Sequence, residues 1–449
     1  MNPVASRPEA AALAAATDVA MLDDLQRAAF DYFVANANAA NGLVADTSRA
    51  GSHASIAVAG FALSVYPVAV ERGWMSRAAA VQRSLATLRF FWHSDQSGEP
   101  GSTGCHGLYF HFLHMDSGTR AWKCELSLID SALLLAGMLT AATYFDQPSA
   151  DERELRQLAD DLYRRVDWNW AQPEGAAVVH GWKPESGFLN YGWEGYSEAL
   201  LLYALGLGSP THPLTEASFD AWTVTYQWEN LYGIDFLYAG PLFIHNFSHA
   251  WLDLRGIRDR FMREKRCDYF ENSRRATLVQ REYAIRNPRS FVGYCENRWG
   301  LSAGDGPGLP PQRVAGREQA FYGYAARGVP WGPDDGTLAG PAVLASLPFA
   351  PELVLPALRG LVRGDLAAAA RAVRASGFNA TARAPEAALP GAAWVSAGEF
   401  GLDQGMTVLM IENFRSGLMW RLTRSCPYLR TGLRRAGFKG GWLARAPKP

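Results

Sequence analysis

Apolar residues return every three to four positions in one stretch after another of this chain, and that period commits it to helices. Residues 19–36 read VAMLDDLQRAAFDYFVAN, with Leu22, Leu25, Ala29, Phe30 and Phe33 on one helical step. Comparable segments occupy 52–72, 76–92, 127–145, 150–166, 197–206, 240–263, 268–287, 341–347, 351–362 and 366–375. Most close on Gly, Pro or a polar cluster. Residues 408–412 and 418–422 have apolar character suited to a final helix or a short hairpin. Between the helices lie long connections rich in Gly, Trp and His, at 95–121, 168–196 and 287–340. Loops of this length carry function or small strands of their own. No low-complexity linker and no change of composition interrupts the chain before about Ala384. The expectation is one domain over 19–425, preceded by an extension (1–18) and followed by a tail (426–449). Short turns alternating with long loops predict an all-α fold, helices paired into a barrel whose long loops gather at one end around the site.

Charge narrows the partners. Lys and Arg number 43 against 44 Asp and Glu, a formal net charge of −1. No long-range positive field attracts nucleic acid, so a neutral or small polar ligand is expected. No apolar run approaches the length of a membrane span. The opening MNPVASRPEAAALAAATDVAMLDD has Arg7, Glu9, Asp18 and Asp23 around a short Ala-rich stretch, and reads as neither a signal peptide nor an anchor. That predicts a cytoplasmic protein unless an export signal has been removed. The five cysteines are scattered and form no CxxC pair, which speaks against a disulfide framework or a structural zinc.

Many of the 15 Trp, 17 Tyr and 22 Phe stand beside Gly, Asn, Asp or His. Trp193 and Tyr196 lie in Tyr-Gly-Trp-Glu-Gly-Tyr, and Trp299 in Asn-Arg-Trp-Gly. Aromatic rings among polar side chains suit a sugar, whose C–H faces stack while its hydroxyls bond; the bland alternative is that these rings close loops over the core. Carboxyls recur at helix entrances. Glu125 and Asp130 open an apolar helix, where Ser127 with Asp130 also fits a simple capping pair. Glu198 follows a candidate cap at Ser197, among aromatics that favour its neutral form. One carboxyl acid and one carboxylate at facing helix mouths is what glycoside hydrolysis requires. His245, His249 and Asp253 follow one another at four-residue steps, a spacing able to hold a metal. Without an HExxH pattern, and with Asn246, Ser248 and Trp251 between them, sugar recognition or support of its wall is the expected use of His249, Trp251 and Asp253, with no metal. The Gly-rich run 299–308 lacks the Lys-Ser/Thr ending of a phosphate loop, but Asp305 within it can reach a ligand.

The blocks Glu125-Leu-Ser-Leu-Ile-Asp130, Tyr196-Ser-Glu198, His249-Ala-Trp-Leu-Asp253, Glu296 to Asp305-Gly-Pro, Asp335-Gly-Thr and Asp403-Gln-Gly through Ile411-Glu412-Asn413 come in a characteristic order. In that order they resemble the glucoamylase-like family, which includes bacterial β-1,2-glucanases and is similar to the C-terminal domain of cyclic β-1,2-glucan synthases. The resemblance runs from about residue 20 to 425. It implies an (α/α)6 barrel that cleaves β-1,2-glucan or derived oligosaccharides, usually with inversion and without metal or cofactor. It also implies that Glu198 matches the general acid and Asp130 an acidic position near the reaction centre, with Glu125 and Asp403 as competitors for the base and Glu412 within a matching block. The chain departs from the family pattern at Lys123 and Ser127, where many members carry acids, and at Asn379, where Asp is common. A transglycosylase on the same barrel and a non-catalytic glycan-binding protein remain the alternatives.

Overall fold

A computed structural model describes residues 7–173, 175–314, 316–362, 373–382 and 393–445. Helices dominate it, and the central ones are those with apolar residues on every side. Ile56–Glu71 buries every residue from Ile56 to Ala69, and Leu200–Gly208 is buried throughout. A helix with no polar face has no solvent side, so such helices must be surrounded by others. Ile56–Glu71 packs on Leu128–Tyr144, which packs on Leu200–Gly208. From Leu200–Gly208 the path continues through the Leu201 N–H to Ser248 Oγ bond into Leu242–Asn246 and the Phe247–Ala250 3-10 turn. Gly340–Ala345 and Gly401–Arg415 then lead back to Ile56–Glu71. Amphipathic helices cover this inner set: Arg77–His93 and Ala150–Arg165 lie against each other, and Arg7–Ala35 lies on Gly401–Arg415.

Two close approaches depend on glycine. A side chain on Gly60 or Gly137 would strike the backbone of the other's helix, so Ile56–Glu71 and Leu128–Tyr144 meet backbone to backbone there. The same holds for Gly208 and Gly432, which seat Pro427–Arg435 on Leu200–Gly208.

An all-α chain was the expectation, and the structure corrects it. The long connections carry six small sheets among the described residues, built of antiparallel strands. The largest has five strands, Gly104–Cys105, Leu108–Phe110, Leu126–Ser127, Gly181–Lys183 and Gly187–Phe188 in that order. Loops this long hold many backbone groups that water does not reach, and pairing them satisfies the hydrogen bonds. The helix expected over 240–263 is also broken: it runs from Leu242 to Asn246, tightens into a 3-10 turn, and resumes only at Arg260–Glu264. Polar side chains in the gap take partners outside a helix, and Gly256 turns with φ of 70°. The helix expected over 366–375 falls mostly outside the described residues. Among the described residues no helix is long and apolar enough to cross a membrane.

Candidate active site

The inner helices start at a common cavity of about 760 Å³. Its wall includes Asp130 from the first turn of Leu128–Tyr144, Glu198 just ahead of Leu200–Gly208, Asn246, Pro341 and Asp403 from the first turn of Gly401–Arg415. Loops add Asp46, Arg49, His111, Trp122, Asp305 and Tyr324.

Local chemistry explains each placement. Ser127 is extended (φ −102°, ψ 124°) and caps Leu128–Tyr144 by accepting from the Asp130 N–H at 3.3 Å. Its hydroxyl donates in turn to Asp130 Oδ2 at 2.5 Å. The capping pair therefore also holds the Asp130 carboxylate at the cavity wall. Ser197, the expected cap ahead of Glu198, is not a standard one, since the helix begins only at Leu200. Instead Ser248 Oγ accepts from Leu201 N–H at 3.2 Å and donates to the Glu198 carbonyl at 2.9 Å, and Trp222 Nε1 donates to Ser197 Oγ at 3.2 Å. Those bonds fix the turn that presents Glu198 to the cavity. Asp46 sits between the Ala45–Ala54 and Thr47–Phe400 bridges, and its carbonyl accepts from Gly401 N–H at 2.8 Å, which ties it to the helix carrying Asp403.

Helix N-termini favour anions by roughly 0.3–1 kcal/mol when exposed. Burial overrides that here. It pushes Glu198 up to about 7, reinforced by the charge on Asp130 and partly offset by a backbone N–H bond. Burial pushes Asp403 up to about 7, with Ser376 bonding against the shift and Asp46 adding to it. Asp46 rises to about 6 by burial, with His111 opposing and Asp130 adding. The cavity thus holds carboxyls that keep a proton near neutral pH. Asp305 pairs with Arg49, and Ser396 Oγ donates to it at 2.7 Å.

The aromatic rim is carried by Trp122, which is 66% exposed, and Tyr324, which is 65% exposed. Trp122 and Lys123 have φ of 54° and 53°, an uncommon conformation for non-glycine residues, and the turn throws Trp122 onto His53 (ring centroids 4.2 Å apart) and Phe112 (5.2 Å).

Of the residues expected from sequence, Glu198, Asp130, Asp403 and Asp305 meet at this cavity. Glu125 stands behind it, bonded to His111 at 2.9 Å. The other expected residues do not line this cavity and lie in the frame around it. Trp193 is buried against His180, and Tyr196 packs between His245, Tyr226 and Tyr269. Trp251 donates to Ser64 Oγ at 2.9 Å, and Trp299 is buried in a separate core cluster. His249 Nε2 meets Ser273 Oγ at 3.1 Å, and Asp253 pairs with Arg255 and Arg424. Glu412 receives two bonds from Arg72, at 2.8 and 2.9 Å. Each found a protein partner or the core before it could face a ligand. Burial holds His245 down to about 4 and His249 to about 3, and among the described residues no cluster of three or more candidate ligands could hold a metal.

Sequence reasoning missed Asp46, Arg49, His111, Trp122 and Tyr324. His111 left a signal, an imidazole inside the alternating apolar run Leu-Tyr-Phe-His-Phe-Leu. The Trp122 turn left none.

The helix-rich fold is shared with known proteins. The crystal structure of a protein from Bacteroides uniformis described as a "putative glucoamylase" superposes with a TM-score of 0.82 at 29% identity, over 95% of this chain and 98% of that one. A β-1,2-glucanase from Parabacteroides distasonis superposes with a TM-score of 0.80 at 25% identity, over 94% of this chain and 60% of that one. In sequence, an exo β-1,2-glucooligosaccharide sophorohydrolase (non-reducing end) of Parabacteroides distasonis is 28% identical over 457 residues. That match takes in 93% of this chain, which spans only 58% of that relative. The model of the Glycoamylase family, described as "Putative glucoamylase", matches residues 190–427. The chain belongs to this glucoamylase-like family.

Proposed function

We propose that the protein is a glycoside hydrolase that cleaves β-1,2-glucan or its oligosaccharides with inversion, on an (α/α)6 barrel spanning 19–425. In this reading 1–18 is an extension and 426–449 a tail. The observation that carries the proposal is Glu198, a carboxyl held at about 7 by burial in the same cavity as Asp130. The succession of inner helices that returns to its start supports the barrel. The printed activities of the relatives support the β-1,2 linkage.

Glu198 gives its proton to the glycosidic oxygen as the bond to the anomeric carbon breaks. Asp130 takes a proton from the water that attacks that carbon from the opposite face. Glu125 is a poor rival for this role, since it stands outside the cavity wall and is bonded to His111. Asp403, which burial raises to about 7 in the same cavity, is the remaining rival for this role, and comparing Asp130→Asn with Asp403→Asn separates the two. Trp122 and Tyr324 offer rings for the sugar's C–H faces. Glu198→Gln keeps size and removes the proton; turnover of β-1,2-glucan oligosaccharides should fall by a factor of about 10² to 10⁴ while binding persists. Wild-type turnover in that variant would remove Glu198 from the chemistry.

A further inference from the structure

Strands Leu108–Phe110 and Leu126–Ser127 pair antiparallel, Tyr109 opposite Ser127 and Phe110 opposite Leu126. One step along the ladder, His111 N–H donates to the Glu125 carbonyl at 2.9 Å. Residues opposite one another on such a ladder project to the same face, so these two side chains leave the sheet together. His111 Nδ1 lies 2.9 Å from Glu125 Oε1, and Nε2 lies 3.5 Å from Asp130 Oδ2. Ser127 Oγ donates to that same Oδ2. The ring of Phe112 stacks on the imidazole with centroids 3.9 Å apart, which holds the ring plane.

We propose that His111, anchored by Glu125, is a positioning residue that fixes Asp130 for its work on the attacking water, an inference that rests on the glycosidase reading above. One carboxylate oxygen, Oδ2, is committed to Ser127 and His111. The other, which accepts no hydrogen bond from a described residue, is left for the water. Three carboxyls face the imidazole from three places: Glu125 just ahead of strand Leu126–Ser127, Asp130 from the helix start and Asp46 from the loop after the first helix. Burial opposes a charge on the ring, but those carboxyls outweigh it and raise His111 to about 9. Its bond to His111 brings Glu125 down to about 2 against the opposing effect of burial, with a backbone N–H bond, the charge on His111 and Lys183 on the neighbouring strand adding smaller parts. With the ring charged, both nitrogens donate and each has a carboxylate in front of it.

The test uses Glu125→Gln, which keeps shape and removes the anchoring charge, together with His111→Ala and His111→Gln. Turnover, KM and the pH profile of kcat/KM are measured on β-1,2-glucan oligosaccharides, with binding followed by calorimetry. Loss of alignment at the water should lower kcat about a hundredfold in Glu125→Gln and His111→Ala with little change in KM. In the His111 variants, removing a cation beside a carboxylate strengthens its hold on a proton, so their acidic limb should move to higher pH by about one unit. His111→Gln should recover part of the rate, because its amide N–H can stand where Nε2–H stands. A Glu125→Gln variant with the wild-type rate would overturn the inference. So would a loss of rate with an unmoved limb and no recovery in His111→Gln, or a loss of binding equal to the loss of rate. An unaltered protein that cleaves no glucan would instead defeat the glycosidase reading itself.

Discussion

The alkaline limb of the rate profile reads the environment of Glu198 directly. An ordinary glutamate, at 4.5, is about 0.3% protonated at pH 7, whereas one at about 7 is half protonated, so burial raises the competent acid form roughly 150-fold. The sign follows from its role. The acid must carry its proton, so kcat/KM should be level below pH 7 until Asp130 begins to take up a proton, and should fall tenfold per pH unit well above 7. Initial rates on a β-1,2-glucan oligosaccharide, across pH 4 to 10 at fixed ionic strength, measure it. In Glu198→Gln the remaining rate should lose this limb, because nothing is left to deprotonate there. An aryl glucoside whose leaving group needs no proton should recover much of that variant's lost rate. A limb that stays in place in Glu198→Gln would assign it to another group and refute the reasoning, and a wild-type limb near 4.5 would refute the part played by burial.

Further outcomes follow from other parts of the structure. Asp130→Asn should cost on the order of a thousandfold in turnover, and Asp403→Asn, which imitates a form already populated at pH 7, less than about tenfold; the reverse order in kinetic assays would make Asp403 the base. Arg327 and Asp335 form a buried pair at 2.6 Å, so Arg327→Met strands a buried carboxylate and should cost about 3–5 kcal/mol in denaturant unfolding; a change under about 1 kcal/mol would mean that the carboxylate finds another partner. Turnover should survive dialysis against excess chelator, because His245 and His249 are bonded to Ala239 and Ser273 and Asp253 is paired with arginines; loss restored by one metal would contradict this.

Much of the frame was legible in the sequence because burial and capping act locally. Leu128–Tyr144 shows its apolar run and its Ser127 cap, and Ala150–Arg165 and Tyr269–Arg286 begin after Ser149 and Asp268, which accept from N–H groups of the first turn. Gly401–Arg415 was legible only at 408–412, since Gly401, Asp403, Gln404 and Gly405 dilute its apolar period. Those glycines are explained by distant partners, as Gly405 lies against Phe61 and Gly401 against Val58. The same split marks the site. Glu198 and Asp130 could be read from the helix mouths they occupy, and Asp403 and Asp305 from the family blocks. His111 and Asp46 reach the cavity through pairings between distant segments that no local pattern encodes. Trp193, Trp251 and Trp299 lie in the core for a physical reason: burial of their large rings gains more there than at a wet cleft. The exposed Trp122 depends on two consecutive positive φ angles.

The central claim is inverting hydrolysis of β-1,2-linked glucan by the acid Glu198. Proton NMR of the purified protein with linear β-1,2-glucan, and in parallel with β-1,3-, β-1,4- and β-1,6-glucans, tests linkage and stereochemistry in one measurement. Only the β-1,2-glucan should be shortened, and the α-anomer of the new reducing end should appear first. Cleavage confined to another linkage, or a β-anomer appearing first, would contradict it.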